Sequence, residues 1–170
     1  MSRRSLVVGT FVLASGVVFL MADDPNSQQL RTQARENQQQ GNYRDAYDSF
    51  RALTLDPENS GELLADDYQR AVGCLEQLQR HHEIDDYREE VVALHGDDWR
   101  LLRQAALTLM HGVHYGFIVA GEFERGNQRG GGEWAQSEER DRVRALQLLE
   151  QARPLAEEQV EGATLAEFYE

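Results

Sequence analysis

Apolar side chains recur every three or four positions along most of this chain, the spacing that places them on one face of an α-helix. The pattern predicts six helices, at about residues 30–40, 43–55, 61–80, 85–96, 99–113 and 137–154. Turns containing Gly, Pro, Asn or Asp separate most of them. Consecutive helices of this length with short turns favour an array of helical hairpins over a closed bundle.

Acidic and hydroxyl side chains mark the starts of three predicted helices. Asp85 and Asp86 are placed to accept hydrogen bonds from the free amides of the fourth helix, and Asp98 from those of the fifth. Ser137 precedes the sixth helix. These positions are therefore expected to act as helix caps.

The segment at residues 116–137 interrupts the helical pattern and is long for a hairpin turn. We expect a packed loop in which glycines supply tight turns and aromatic side chains dock on the helices. An anion site is disfavoured, because neighbouring Glu residues repel phosphate and no Lys-Ser or Lys-Thr follows. The loop is instead a candidate partner-contact segment through Arg125, Arg129, Gly130, Gly131, Gly132 and Trp134.

The second predicted helix carries a recognisable spacing of glycine, aromatic and alanine residues, with Gly41, Tyr43, Ala46 and Phe50 followed by Pro57. It resembles the second helix of a tetratricopeptide repeat. Small Ala46 lets helices approach closely, Tyr43 and Phe50 fill the groove, and Pro57 cannot continue a helix. The fold implied is all-α: a tetratricopeptide-like array of about three antiparallel helix pairs over residues 30–158, with one long Gly-rich loop insertion.

Both ends of the chain differ from this helical region. A basic start and the apolar run of residues 6–22 predict a signal peptide at residues 1–22, with an uncleaved membrane anchor as the alternative. Residues 23–29 are predicted to be a linker. Residues 159–170 begin a new apolar face, which predicts the start of a further helix in a truncated array. We expect an exported protein of the periplasm or cell envelope.

Composition limits the remaining function classes. The 170 residues have a formal net charge of -13, and all 17 basic residues are Arg. Such an acidic chain lacks the basic surface that nucleic acids require, so we expect no nucleic-acid partner, and membrane contact only through residues 6–22. His111 and His114 supply only two of the ligands that a metal site needs. No Ser nucleophile motif or isolated carboxylate pair stands out, so we expect neither catalysis nor a cofactor.

Several sequence segments resemble a second family of proteins. They are residues 98–102, 116–122, 125–132 and 139–147. They are similar to the N-terminal helical region that precedes the macroglobulin domains of some bacterial alpha-2-macroglobulin-like proteins. The resemblance implies a non-catalytic scaffold at the N-terminus of an exported peptidase inhibitor, with the downstream domains of a longer parent chain as one partner. The alternative is a stand-alone tetratricopeptide-like adaptor that binds a protein or peptide in the cell envelope.

Cys74 and Gln77 match the letters of the Cys-x-Glu-Gln thioester motif found in that family. Both residues fall inside the long third helix, where the Gln side chain has little freedom to acylate Cys74. We therefore expect Cys74 to be a buried, inert thiol.

Overall fold

A computed structural model describes residues 25–127 and 129–159. The expected signal peptide at residues 1–22 and the final residues 160–170 lie outside this part of the chain. The described residues form six α-helices: α1 Pro25–Gln39, α2 Tyr43–Thr54, α3 Gly61–Gln77, α4 Ile84–Leu94, α5 Trp99–His111 and α6 Glu138–Gln159. They also form three strands: β1 Tyr115–Val119, β2 Glu122–Arg125 and β3 Glu133–Gln136. The chain is mostly helical, as expected, but the small sheet means that the all-α class is not confirmed.

The helices pack mainly in chain order, α1 on α2 and α2 on α3, then α3 on α5 and α5 on α6. Aromatic rings connect α4 to this stack. Tyr87 of α4 stacks on Tyr68 of α3 with ring centroids 5.7 Å apart, and meets Tyr47 of α2 edge-on at 5.8 Å. The Tyr87 hydroxyl also hydrogen-bonds Thr54 at 2.7 Å. One continuous core therefore runs through α2, α3 and α4.

Two helix ends share one termination motif. Gly41 and Gln79 both adopt positive φ, at 81° and 58°. The amide of Asn42 donates to the Asn37 carbonyl, and the amide of Arg80 donates to the Leu75 carbonyl, the long-range bonds of a Schellman motif. Gly41, a member of the repeat-like spacing, thus ends α1.

Other helix bounds differ from the sequence prediction at proline residues. Helix α1 begins at Pro25, inside the expected linker, because proline suits the first turn, where its missing N–H is not needed. Helix α6 continues through Pro154 to Gln159 instead of ending there. Glu150, whose carbonyl loses its helical partner at Pro154, is exposed, so water can solvate that carbonyl.

The expected loop at residues 116–137 is largely an antiparallel sheet, with strand order β2-β1-β3. Val119 pairs with Glu122, which leaves Ala120 and Gly121 as a two-residue turn. Both turn residues have positive φ, 53° and 89°, as a type I′ hairpin requires. The loop expectation was wrong because the aromatic and β-branched residues of Tyr115–Val119 favour a strand, and the glycines beside them supply its turns.

Candidate functional site

The feature with the most concentrated chemistry is a group of ion pairs beneath the sheet. Arg125 at the end of β2 is only 4% exposed and makes bidentate contact with Asp141 of α6, at 2.7 and 2.8 Å. The same guanidinium reaches both carboxylate oxygens of Asp85 in α4, at 3.0 and 3.1 Å, and donates to the Val113 carbonyl. Arg125 therefore links the sheet to both α4 and α6.

Asp141 is the most heavily satisfied carboxylate of this group. It accepts hydrogen bonds from Ser137 Oγ at 2.8 Å and Arg140 at 3.1 Å, and lies 3.1 Å from His114 Nδ1. Burial alone would raise its pKa, but Arg125, with Ser137 and His114, holds the pKa of the Asp141 carboxyl far below its usual range. Asp141 therefore remains ionised and does not suit a general acid.

Asp85 belongs to the same cluster and is shared among three guanidinium groups. Besides Arg125, it accepts from Arg88 at 2.5 Å and from Arg140 at 2.6 Å. Burial opposes ionisation, but Arg88 and Arg125, assisted by Arg140, lower the pKa of the Asp85 carboxyl. Asp85 therefore uses its carboxylate for ion pairs and does not cap α4, because charge-assisted bonds to guanidinium are stronger than a bond to an amide.

The ion pairs border a shallow cavity of about 240 Å³ between α4, α5 and α6. Arg144 lines it as well and pairs with Glu89 at 2.5 Å. The Arg side chains around this cavity are paired with carboxylates of the same cluster. The arrangement therefore favours a structural role, holding the helices together, over an anion-binding site.

A second buried ion pair joins the first and third helices. Arg31 is 4% exposed and its Nε donates to both carboxylate oxygens of Asp67, at 2.9 and 3.0 Å. Asn59 adds a 3.2 Å hydrogen bond to the same carboxylate and another to the Leu53 carbonyl. These bonds position the turn before α3 against α1.

Helices α3 and α5 border a groove of about 350 Å³ on the molecular surface. Its lining combines amides, a hydroxyl, an imidazole and a carboxylate with small and aliphatic residues: Gln69, Val72, Gly73, Glu76, Gln104, Leu107, Thr108, His111 and Gly112. A Cβ added at Gly73 would meet nothing within 4 Å. The groove is therefore open along α3 and offers hydrogen-bonding groups to a bound chain.

The structure separates the six residues expected to form a partner-contact loop. Arg125 is buried among carboxylates, so its expected role at a contact surface is wrong. Arg129 and Gly130–Gly132 are exposed between β2 and β3, while Trp134 lies on β3 and is 60% exposed. Trp134 alone combines exposure with a large apolar surface.

The repeat-like residues have different surroundings. Ala46 and Phe50 are fully buried in α2, and Tyr43 packs partly buried against the core. Pro57 is exposed in the turn after α2, and Gly41 ends α1. Only Ala46, Phe50 and Tyr43 thus contribute side chains to packing.

The remaining chemical candidates occupy ordinary structural positions. Cys74 is fully buried in α3, and burial raises the pKa of its thiol to about 11. His114 contacts Asp141 and the Met110 carbonyl instead of converging with His111 on one site. Within residues 25–127 and 129–159, no group of three potential ligands is placed to hold a metal.

Sequence reasoning missed Asp85, Asp141 and Arg140 as members of the ion-pair cluster. Asp141 lies in a run of charged residues, a pattern typical of a solvated helix face, yet it is 1% exposed. Its partner Arg125 is 16 positions away, and Asp85 is 40 positions from Arg125. Neither separation follows a helical or strand period, so no local pattern identifies these pairs.

No family model, curated protein or solved structure matches this chain. Among the helices that the structure describes, none is long and apolar enough to cross a membrane.

Proposed function

We propose that this chain is a non-catalytic helical scaffold that binds a protein or peptide in the groove between α3 and α5. The observation that carries the proposal is the groove itself, about 350 Å³ and lined by hydrogen-bonding side chains from two neighbouring helices. An extended segment in such a groove gains backbone hydrogen bonds from amide and hydroxyl groups and apolar contact from Val72 and Leu107.

The fold part of the proposal is a tetratricopeptide-like array of three helix pairs, α1–α2, α3–α4 and α5–α6. Burial of Ala46 and Phe50 in α2 supports it, as does direct packing of α3 on α5. In such an array the first helices of successive pairs line one surface, which is where the groove lies. The sheet is then an insertion within the third pair.

Gly73 offers a direct test of binding in the groove. Gly73→Tyr would fill the groove without a backbone clash, and replacing a helical glycine also favours the helix. Ala52→Tyr, at an exposed position of α2 outside the groove, is the matched control. Peptides selected from a displayed library on the wild-type chain should lose binding to Gly73→Tyr and keep binding to Ala52→Tyr. Selected peptides that bind both variants equally would refute the groove as the site.

The resemblance to alpha-2-macroglobulin-like proteins supports a more specific proposal, that the scaffold precedes the macroglobulin domains of an exported peptidase inhibitor. The alternative is the free-standing adaptor of the cell envelope. The intact mass of the native product separates the two proposals. A mass well above 19.4 kDa is expected for the peptidase inhibitor. The same measurement reports whether residues 1–22 are removed. Mass gain with methylamine would reveal a thioester, which the buried Cys74 of this region is not expected to form.

A further inference from the structure

The outward face of the sheet combines aromatic side chains with carboxylates. Register pairs Phe117 of β1 with Trp134 on one side and with Glu124 on the other. Directly opposed side chains on neighbouring strands lie about 5 Å apart at Cβ, so these three form one row across the sheet. Tyr115 and Val119 share this face because residues two apart on a strand point the same way. We call these residues, with Glu122 opposite Val119, the sheet face.

Two aromatic side chains of the sheet face are exposed to solvent. Trp134 is 60% exposed and Tyr115 36%. Clustered exposed aromatic residues mark interaction surfaces, and Trp and Tyr are among the residues that contribute most to binding at such surfaces.

Cations cover aromatic rings elsewhere in this protein. Arg100 lies 4.4 Å from the Trp99 ring centroid, and Arg140 lies 4.1 Å from that of Phe123, whose side chain is on the opposite side of the sheet. Among the described residues, no guanidinium lies over Trp134, Phe117 or Tyr115. The exposed rings of Trp134 and Tyr115 therefore offer surface on which a cation can stack.

The charges of the sheet face are also unmatched. Glu122 and Glu124 form no side-chain hydrogen bond or ion pair with any residue that the structure describes, and Arg125 of the same strand is occupied beneath the sheet. At the other end, Gln136 borders a surface depression of about 490 Å³ that is also lined by Glu138, Glu139 and Arg142, and Arg142 pairs with Glu139. Arg129 is exposed in the β2–β3 connection. The surface is thus aromatic with an acidic excess, on a chain of net charge -13.

We propose that the sheet face binds a protein segment that presents Arg or Lys side chains, with one cation stacked on Trp134 and Phe117 and bonded to Glu124. Charge complementarity selects this partner: a basic segment supplies both the missing cation for the rings and the missing counter-charge for Glu122 and Glu124. This surface is separate from the groove between α3 and α5, so the two proposals stand or fall independently.

The test uses the ¹⁵N-labelled full chain and two synthetic pentapeptides, Arg-Tyr-Arg-Tyr-Arg and its uncharged counterpart Gln-Tyr-Gln-Tyr-Gln. Two indole N–H resonances report the two Trp residues, Trp99 buried and Trp134 exposed, and a Trp134→Phe spectrum assigns them. The Arg peptide is expected to shift the Trp134 resonance saturably and leave Trp99 in place. The Gln peptide is expected to bind at least about fivefold more weakly, since each exposed cation contact changes affinity by about two- to fivefold.

Variants then decide whether binding depends on this row of side chains. Calorimetric titration with the Arg peptide should show about two- to fivefold weaker binding for Trp134→Leu, which keeps an apolar side chain, and for Glu124→Gln. Glu36→Gln, at an exposed carboxylate of α1 with no side-chain partner among the described residues, is the matched control and should bind like wild type. Unchanged amide spectra away from the sheet verify that each variant is folded.

Three results would overturn the proposal. Equal binding of the two peptides would mean that charge does not select the partner. Equal weakening by Glu36→Gln and Glu124→Gln would mean that the peptide follows the overall charge of the chain. Shifts confined to α3 and α5 would assign the peptide to the groove.

Discussion

Replacing Arg125 by Met should destabilise the protein by about 3 kcal/mol, the lower end of the range for removing one partner from a buried ion pair. Met keeps a similar apolar stem and removes the guanidinium that contacts two carboxylates and the Val113 carbonyl. The lower end is expected because the carboxylates keep other partners. Asp141 retains Ser137 and Arg140, and Asp85 retains Arg88.

The pH dependence of stability should change with the same substitution. The pKa values of Asp141 and Asp85 are lowered in the folded chain, so the unfolded chain takes up protons first as the pH falls. Their stabilising contribution is complete above about pH 5, where unfolded Asp, with a pKa of about 3.9, is also ionised. It is lost as the pH falls from about 5 through the folded pKa values. Arg125→Met should make the loss of stability in acid shallower, because the two carboxylates then titrate closer to their unfolded values.

Urea unfolding followed by far-ultraviolet circular dichroism, at several pH values between about 7 and 3, measures both effects. Arg142→Met is the matched control, since among the described residues this exposed Arg of α6 pairs only with the exposed Glu139. It should leave the unfolding midpoint unchanged. An Arg125→Met midpoint equal to that of wild type, or an unchanged acid slope, would refute the view that this group of ion pairs holds the sheet to the helices.

Four further substitutions test separate parts of the fold, the first three by the same unfolding measurement and the fourth by amide exchange. Ala46→Asp should cost about 3 kcal/mol or more, because it leaves an unpaired charge in a fully buried helix contact. Cys74→Ser should cost less than half of that and leave binding intact, since Gln38 lies 3.7 Å from the sulfur and can pair with a hydroxyl. Asp98→Ala should cost about 1 kcal/mol through loss of the α5 cap, which accepts from the amides of Arg100 and Leu101. Gly116→Ala should release β2 and raise amide exchange in the sheet while the helices stay protected, because its Cβ would lie 2.1 Å from the Glu124 carbonyl oxygen.

Local pattern predicted the helices well and the sheet poorly, for reasons visible at particular residues. Each helix is long enough for several turns of the apolar period, and the Asp98 cap formed as expected. The strands have only four or five residues each. The glycines around them favour a loop in any local pattern, although Gly121 supplies a tight turn and Gly116 permits close strand approach.

The repeat-like spacing of α2 illustrates how one residue can satisfy a motif for another reason. Gly41 fits the pattern, yet its observed role is to end α1 in a left-handed conformation. A single-residue match therefore says less about architecture than the burial of Ala46 and Phe50, which depends on neighbouring helices.

The sequence by itself determined where helices form and which of their faces are apolar, because a helix requires only neighbours three and four positions away. Its acidic charge also predicts that nucleic acid, which needs a basic surface, is not a partner. Tertiary structure alone decided that Arg125 is buried between Asp85 and Asp141, and that Trp134, Phe117 and Glu124 form one row. These contacts join residues tens of positions apart, and only the packing of whole elements decides which side chains share a buried site and which remain exposed.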